Sequence, residues 1–114
     1  MYKNLNYYNL LYYNNLVMEI MEPINKGYTV YSKSGCINCI KIKNLFKDKN
    51  IFFIEVQCDE YLIENKEGFL LYIKEKAKKE HRIFPIVFYN GDFIGGYNEV
   101  KENIEKMEVN FEDI

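Results

Sequence analysis

Two cysteines three positions apart are the residues of this sequence with the clearest chemistry. Cys36 and Cys39 follow a short apolar run, 28–31, and open a stretch, 40–49, whose apolar residues have helical spacing. The N-terminus of a helix carries unpaired N–H groups and a positive dipole end, and both stabilise a thiolate. Because the thiolate is the reacting form of cysteine, this strand-to-helix junction predicts a redox-active pair.

The two cysteines are expected to differ in reactivity. Cys36 would lie beside the helix N-cap, partly exposed, and Lys33 adds positive charge three residues upstream. Cys39 follows one helical turn later on the same face, within disulfide reach, and should be more buried and less acidic. This asymmetry predicts that Cys36 is the nucleophile and Cys39 the resolving residue. Two buried structural thiols, the alternative, would explain neither the spacing nor the junction.

Composition limits the class of protein and its partners. The chain has 114 residues, 48% hydrophobic and 28% charged, which suits one globular domain. The net charge is −2, and the basic run 74–82 is interrupted by Glu75 and Glu80, so we expect neither nucleic acid nor a membrane as a partner. Three cysteines and an N-terminus with a single lysine argue against secretion, so we expect a reducing, cytoplasmic location.

Hydrophobic spacing predicts an α/β fold. The predicted elements are a strand at 28–32, a helix at 36–49, a strand at 51–56, a loop or helical turn at 57–66, a helix at 67–81, a strand at 85–89, a hairpin turn at 90–92, a short strand at 93–94 and a helix at 97–109. A helix between the first two strands implies a parallel pair, and the hairpin implies an antiparallel one. The order therefore predicts a four-stranded mixed sheet with helices on both faces.

The first 24 residues differ from the rest of the chain in their pattern of apolar residues. Their leucines, tyrosines and isoleucine approximate helical spacing, which predicts a helix over 7–22. Met18 or Met21 would serve as an alternative translation start, with the earlier residues then dispensable. We therefore divide the chain into an N-terminal extension at 1–24, a main domain at 25–109 and a tail at 110–114.

Four local features now occur in one order: the cysteine pair, Pro85 at the start of a strand, a tight hairpin, and Gly95-Gly96 before the last helix. The segments VYSKSGCINC (30–39) and RIFPIVFYNGDFIGGYNE (82–99) resemble glutaredoxins of the dithiol type, which have the thioredoxin fold. The chain differs from the commonest pattern at three places. Ile37-Asn38 replaces Pro-Tyr between the cysteines, Ile83 replaces a threonine, and Asn98-Glu99 replaces a pair of aspartates.

The resemblance implies a groove for glutathione beside the cysteines. The residues that it places there are Lys33, Asn38, Arg82, Phe84, Pro85, Gly96, Tyr97 and Asn98. Pro85 corresponds to the family's cis proline, and the backbone of Phe84 would pair with the cysteinyl part of glutathione as an added strand. An ordinary trans proline is the alternative.

The same resemblance implies which protein groups bind the two ends of glutathione. After Gly95-Gly96, the first N–H groups of the last helix would bind the γ-glutamyl carboxylate, and Asn98 would accept from the ammonium group. Lys33 and Arg82 are candidates for the glycyl carboxylate. A plain turn at Gly95-Gly96 and solvated charges at the two cations are the alternatives.

The resemblance implies a monomeric, glutathione-dependent thiol–disulfide oxidoreductase whose partners are disulfide-bearing or glutathionylated proteins. Two alternatives stay open. The first is a dimer that carries a [2Fe–2S] cluster on one cysteine per subunit and two glutathiones, which a proline after Cys36 would oppose and Ile37 does not. The second is a thioredoxin-like electron donor that thioredoxin reductase reduces.

The remaining chemistry-bearing residues have structural interpretations. Cys58 ends a predicted strand and is expected to be a small buried residue. His81 is expected at the end of a helix, where it would cap the helix or interact favourably with its dipole. A zinc site built from the three cysteines and His81 is disfavoured, since the second pair lacks ligand spacing, and we expect no metal.

Overall fold

The computed structural model describes residues 8–13 and 16–112, with side chains described from residue 19 to residue 108. The strands are β1 (Tyr8–Tyr13), β2 (Leu16–Met21), β3 (Tyr28–Ser32), β4 (Phe53–Gln57), β5 (Ile86–Tyr89) and β6 (Asp92–Gly95). The helices are α1 (Ile37–Asp48), α2 (Asp59–Ala77) and α3 (Tyr97–Glu112). Strands β3 to β6 form one sheet in the order β4-β3-β5-β6, and β1 and β2 form a separate hairpin.

The four-stranded sheet is mixed, as predicted. Strand β3 pairs in parallel with β4, with Val30 opposite Glu55, and antiparallel with β5, with Val30 opposite Val87. Strand β6 continues the sheet antiparallel to β5. Because side chains alternate along a strand, β3 contributes to two separate cores. The expected thioredoxin fold is confirmed.

Helices cover both faces of this sheet. On one face, Ile42 and Phe46 of α1 and Val100 and Ile104 of α3 pack against Val30. On the other, the core contains Tyr31 of β3, Phe69 and Ile73 of α2, and Ile86 and Phe88 of β5. Burial of β3 on both faces fixes the strand that leads directly into the cysteine loop.

Helix α2 differs from the prediction at both ends. It begins at Asp59 rather than at residue 67, since Asp59 and Glu60 complement the positive end of its dipole. It ends at Ala77 because Lys78 adopts the left-handed conformation, with φ of 62°. The axis is broken at Asn65, whose Oδ1 accepts the N–H of Gly68 at 3.0 Å.

The helix predicted over 7–22 is wrong. Residues 8–13 and 16–21 are strands of an antiparallel hairpin, with Tyr8 opposite Met21. Two apolar runs joined by Asn14-Asn15 carry a hairpin signal, because asparagine is favoured in two-residue turns, but the leucines and tyrosines also match helical spacing. Residues 1–7 and 14–15 of the predicted helix and extension lie outside the described part of the chain.

The hairpin docks on the α2 side of the domain. Ile20 is fully buried in the core that contains Phe69 and Ile73. The hydroxyl of Tyr31 donates to the carbonyl of Met21 at 2.5 Å, and the Met21 N–H donates to the Tyr61 hydroxyl at 3.3 Å. The hairpin therefore supports the end of β3 from the face opposite α1.

The bounds of helices α1 and α3 agree closely with those predicted from the sequence. Helix α1 begins one residue after Cys36, and α3 begins at Tyr97 as predicted but continues to Glu112, through part of the predicted tail 110–114. No helix in the described part of the chain has both the length and the apolar character needed to cross a membrane.

Candidate active site

Cys36 occupies the N-cap of α1. Its backbone is extended, with φ of −112° and ψ of 105°, and its sulfur accepts the N–H of Cys39 at 3.1 Å. One N–H group of the first helical turn, that of Cys39, therefore points towards Sγ. An N-cap that is a cysteine rather than a serine or aspartate places a polarisable, reactive atom where a helix stabilises negative charge.

The two cysteines form a disulfide and differ in exposure. Their Cα atoms are 5.2 Å apart, while Cys36 is partly exposed and Cys39 is only 1% exposed. Incoming sulfur can therefore reach Cys36 but not Cys39. The division into a nucleophile, Cys36, and a resolving residue, Cys39, stays a prediction, and it requires this order of exposure.

The segment before β5 lies next to the disulfide. The peptide bond between Phe84 and Pro85 is cis, as predicted, and both residues are buried. Cys36 packs against the core cluster that includes Phe84. The ammonium of Lys33 lies 5.6 Å from the centroid of the Phe84 ring, so the loop before Cys36 and the Phe84–Pro85 segment meet at the site.

The loop that carries Lys33 is held from the start of α2. The N–H and the hydroxyl of Ser34 donate to the Asp59 carboxylate, at 3.0 and 2.5 Å. These hydrogen bonds lower the pKa of Asp59, and Lys33 adds a smaller effect of the same sign. Gly35, with φ of +70°, then turns the chain into the helix.

The start of α3 agrees in part with the geometry predicted from Gly95-Gly96. Gly95 has φ of +136°, a conformation that other residues rarely adopt. The N–H of Gly96 donates to Glu99 Oε1 at 2.8 Å, so this carboxylate caps the helix. Tyr97 is half-buried and Asn98 is exposed. The ammonium of Lys41 lies 5.9 Å from the Tyr97 ring centroid, which links α1 to the start of α3.

Arg82 is engaged elsewhere. Its guanidinium pairs with Glu67 at 3.1 Å and with Glu80 at 3.8 Å. It lines a shallow pocket with Leu70 and other residues of α2, and that pocket does not include either Cys36 or Cys39. The structure thus brings Lys33, but not the Arg82 guanidinium, to the cavity at the disulfide.

Sequence reasoning missed Glu55. A cavity of about 240 Å³ beside the disulfide is lined by both cysteines and by Glu55 of β4. Its Oε2 accepts the Ser32 hydroxyl at 2.6 Å and the Lys43 ammonium at 2.8 Å. Burial alone would raise the pKa of Glu55, but these hydrogen bonds and the Lys43 charge outweigh it and the pKa is lowered. The sequence signal that could have indicated Glu55 is its charge, because the rest of the predicted strand 51–56 is apolar.

Cys58 and His81 lie away from the reactive pair. Cys58 is fully buried and unpaired, as predicted, and burial raises the pKa of its thiol. His81 does not cap a helix, because α2 ends four residues earlier, and its ring packs against Phe93 with centroids 5.0 Å apart. Among the described residues, no three histidine, cysteine or carboxylate side chains converge as a metal site would require.

The fold and the site define a thioredoxin-fold protein with a Cys-x-x-Cys pair at the end of its first sheet strand and a cis proline beside it. Residues 28–94 match the family model named Glutaredoxin, and the chain belongs to the glutaredoxin family. The predicted resemblance is therefore confirmed.

Curated relatives agree with this family. The chain is 35% identical over 81 residues to "Glutaredoxin-2, mitochondrial" of Bos taurus, covering 70% of this chain and 49% of that protein. It is 33% identical over 67 residues to "Glutaredoxin 1" of Rickettsia conorii, covering 59% of this chain and 61% of that protein. The chain spans about half the length of the mammalian relatives it matches.

Solved structures show the same fold. The glutaredoxin 1 of Francisella tularensis, in a complex with cacodylate, is 29% identical with a TM-score of 0.59, covering 70% of this chain and 93% of that one. A buckwheat glutaredoxin–glutathione complex is 24% identical with a TM-score of 0.59, covering 70% and 69% of the two chains.

Proposed function

We propose that this protein is a glutathione-dependent thiol–disulfide oxidoreductase that reduces protein disulfides and protein–glutathione mixed disulfides. The observation that carries the proposal is the N-cap position of Cys36, with its sulfur accepting a helix N–H at 3.1 Å and its disulfide partner buried. Membership of the glutaredoxin family supports the use of glutathione.

The protein-disulfide route uses both cysteines. The Cys36 thiolate attacks one sulfur of the substrate disulfide, forming a mixed disulfide and releasing the other substrate sulfur as a thiolate that takes a proton from water. The Cys39 thiolate then attacks Cys36 Sγ, which forms the Cys36–Cys39 bond and releases the second substrate thiol. Two electrons pass to the substrate, and two glutathiones return them to the protein as they become glutathione disulfide.

The mixed-disulfide route needs Cys36 alone. Its thiolate attacks the glutathione sulfur of a glutathionylated protein, releases the protein thiol and becomes glutathionylated. A second glutathione thiolate then attacks the glutathione sulfur held on Cys36, which regenerates the thiol and releases glutathione disulfide. Cys39 is not required at any step of this route.

The glutathione contacts belong to this proposal. The Phe84 backbone beside Pro85 would pair with the cysteinyl residue, and the first N–H groups of α3, at Tyr97 and Asn98 after Gly96, would receive the γ-glutamyl carboxylate. We assign the glycyl carboxylate to Lys33, because Arg82 would first have to leave Glu67 and Glu80. Asn38, exposed between the two cysteines in the first turn of α1, completes the proposed set.

Substitution of the two cysteines tests the proposal. We expect Cys36→Ser to abolish turnover of bis(2-hydroxyethyl) disulfide in a glutathione and glutathione reductase assay, and Cys39→Ser to keep the release of glutathione from a glutathionylated protein. Cys58→Ser is the matched control and should keep both activities. Turnover by Cys36→Ser would refute the mechanism. Higher turnover with thioredoxin reductase in place of the glutathione system would instead favour the thioredoxin-like alternative.

A second candidate function is glutathione-dependent [2Fe–2S] binding by a dimer. The observation that favours it is the residue after Cys36, because Ile37 is 71% exposed and leaves the cysteine without a neighbouring proline ring. Anaerobic reconstitution with iron, sulfide and glutathione tests it. A coloured dimer whose absorbance is lost in Cys36→Ser would support the candidate, and a colourless monomer would refute it.

A further inference from the structure

Three exposed isoleucines flank the reactive disulfide. Ile37 and Ile40 lie in the first turn of α1 and are 71% and 56% exposed, while Ile83, 74% exposed, immediately precedes Phe84. Ile40 also lines the cavity beside the two cysteines. We call Ile37, Ile40 and Ile83 the isoleucine surface. Clustered exposed apolar side chains mark a surface where a partner binds, and Ile37 and Ile40 are neighbours at i and i+3 on one face of α1.

A positive charge borders this surface. Lys41 has helical i+4 spacing from Ile37 and follows Ile40, so the three share one side of α1. Its ammonium lies over the Tyr97 ring and, within the part of the chain whose side chains are described, makes no ion pair. Lys43, two residues later, is by contrast paired with Glu55. Lys41 therefore offers an uncompensated charge next to the apolar residues.

We propose that the isoleucine surface and Lys41 bind the protein substrate, as a disulfide-bearing segment with an apolar side chain next to its cysteine and a carboxylate beyond it. This inference rests on the proposed function and names its substrate class. Cys39 is 1% exposed, so the substrate sulfur must reach Cys36, and the residues beside that sulfur then cover Ile37 and Ile83. Glutathione itself has no apolar side chain and does not account for this surface.

The chemical step is the first half of the protein-disulfide route. The Cys36 thiolate forms a bond to the substrate sulfur next to the apolar residue, and the substrate's internal S–S bond breaks. Its other sulfur leaves as a thiolate and takes a proton from water, and Cys39 then resolves the mixed disulfide. Binding of the apolar neighbour raises the rate by orienting the attacked sulfur.

Single-turnover reduction of cyclic disulfide peptides, without glutathione, tests the inference. The peptides are identical except for Leu or Ser next to the attacked cysteine and for Asp or Asn beyond it. We expect the prereduced wild-type protein to reduce the Leu peptide about tenfold faster than the Ser peptide, the ratio that partial burial of one apolar side chain gives. In Ile37→Ser/Ile83→Ser this ratio should fall to about twofold or less. The wild type should also reduce the Asp peptide faster than the Asn peptide, and Lys41→Gln should lose this preference.

Ile63 provides the matched control, because it is 82% exposed but lies on α2. Ile63→Ser should keep the wild-type ratio. Equal rates on the Leu and Ser peptides, or the same loss in Ile63→Ser, would overturn the inference. So would sedimentation velocity showing a wild-type dimer that Ile37→Ser/Ile83→Ser dissociates, since the surface would then belong to a second copy. Failure of glutathione-coupled turnover would instead count against the proposed function, because the peptide assay contains no glutathione.

Discussion

At the scale of single residues, the three cysteines should separate cleanly by reactivity. Cys36 sulfur accepts a helix N–H, whereas Cys39 is 1% exposed and Cys58 is fully buried with its pKa raised by that burial. We therefore expect iodoacetamide to alkylate Cys36 first in the reduced protein. Peptide mass mapping after short exposures at several pH values measures this order.

Cys58 serves as the internal control for this experiment. It should be alkylated only when the protein is unfolded in denaturant, which also shows that the reagent can reach all three thiols. Alkylation of Cys39 or Cys58 before Cys36 in the folded protein would contradict the roles assigned here.

Glu55 gives a pH-dependent prediction. Hydrogen bonds from Lys43 and Ser32 lower the pKa of Glu55 in the folded protein. Its contribution to the free energy of unfolding is therefore complete above the ordinary carboxyl pKa, and it disappears as the pH falls through the lowered pKa. Its side chain is 34% exposed, so solvent screening limits the effect. We expect Glu55→Gln to reduce the free energy of unfolding by about 0.5–1 kcal/mol at pH 7.

Urea unfolding at several pH values measures the effect of Glu55→Gln. The difference from the wild type should shrink once the pH falls below about 4, the ordinary range of a carboxyl group. Glu102, 69% exposed and paired with Lys106 on α3, is the control, and Glu102→Gln should have a smaller effect at pH 7. A Glu55→Gln difference that stays constant down to pH 3 would contradict the proposed cause.

The residues that local chemistry specifies could be predicted from the sequence. The Cys36–Cys39 pair, Pro85 and the start of α3 each depend on a few neighbouring residues. Glu55 could not be assigned in this way, because its site requires Ser32 from β3 and Lys43 from α1 to converge on one carboxylate. Such convergence depends on strand register and helix packing, which hydrophobic spacing does not specify.

At the scale of elements, the break in α2 makes an unusual prediction. A glycine in a helix is normally improved by alanine, by about 1 kcal/mol. At Gly68, however, an added Cβ would lie within 2.9 Å of three side-chain atoms of Asn65, the residue that caps the second half of the helix. We therefore expect Gly68→Ala to lower the free energy of unfolding by about 1–2 kcal/mol, reversing the usual sign.

Urea unfolding of Gly68→Ala and of Glu75→Ala measures this. Glu75 is exposed on the same helix, so Glu75→Ala should change the free energy of unfolding by no more than about 0.5 kcal/mol. A stabilised Gly68→Ala would show that the Asn65 side chain gives way and that the break is not fixed by this contact.

Secondary structure was predictable from the sequence where the apolar residues of a segment followed a single spacing, either helical or strand-like. Strand β3, helix α1 and the β5–β6 hairpin each carry one clear pattern, and their observed bounds differ by at most a few residues from the predicted ones. The first half of α2 was missed because Asn65 and Gly68 interrupt its apolar spacing. The β1–β2 hairpin was missed because its apolar residues fit a helix equally well, and only pairing between two strands decides the outcome.

At the scale of the whole molecule, the β1–β2 hairpin should be a stabilising part of the fold. Ile20 is fully buried in the core beneath the four-stranded sheet, and the Lys76 ammonium pairs with Glu22 at 2.9 Å. Truncating a buried isoleucine costs about 2–4 kcal/mol through lost contacts and the cavity that remains. We expect Ile20→Ala to lower the free energy of unfolding by this amount, measured by urea titration.

The matched substitution is Ile63→Ala, at an isoleucine 82% exposed on α2, which should change the free energy of unfolding by less than about 0.5 kcal/mol. Since the hairpin supports β3 through the Tyr31 hydroxyl and not the cysteines directly, the folded Ile20→Ala protein should keep the wild-type alkylation order of its cysteines. If Ile20→Ala is as stable as Ile63→Ala, the hairpin does not dock, and residues 28–112 alone make up the stable domain.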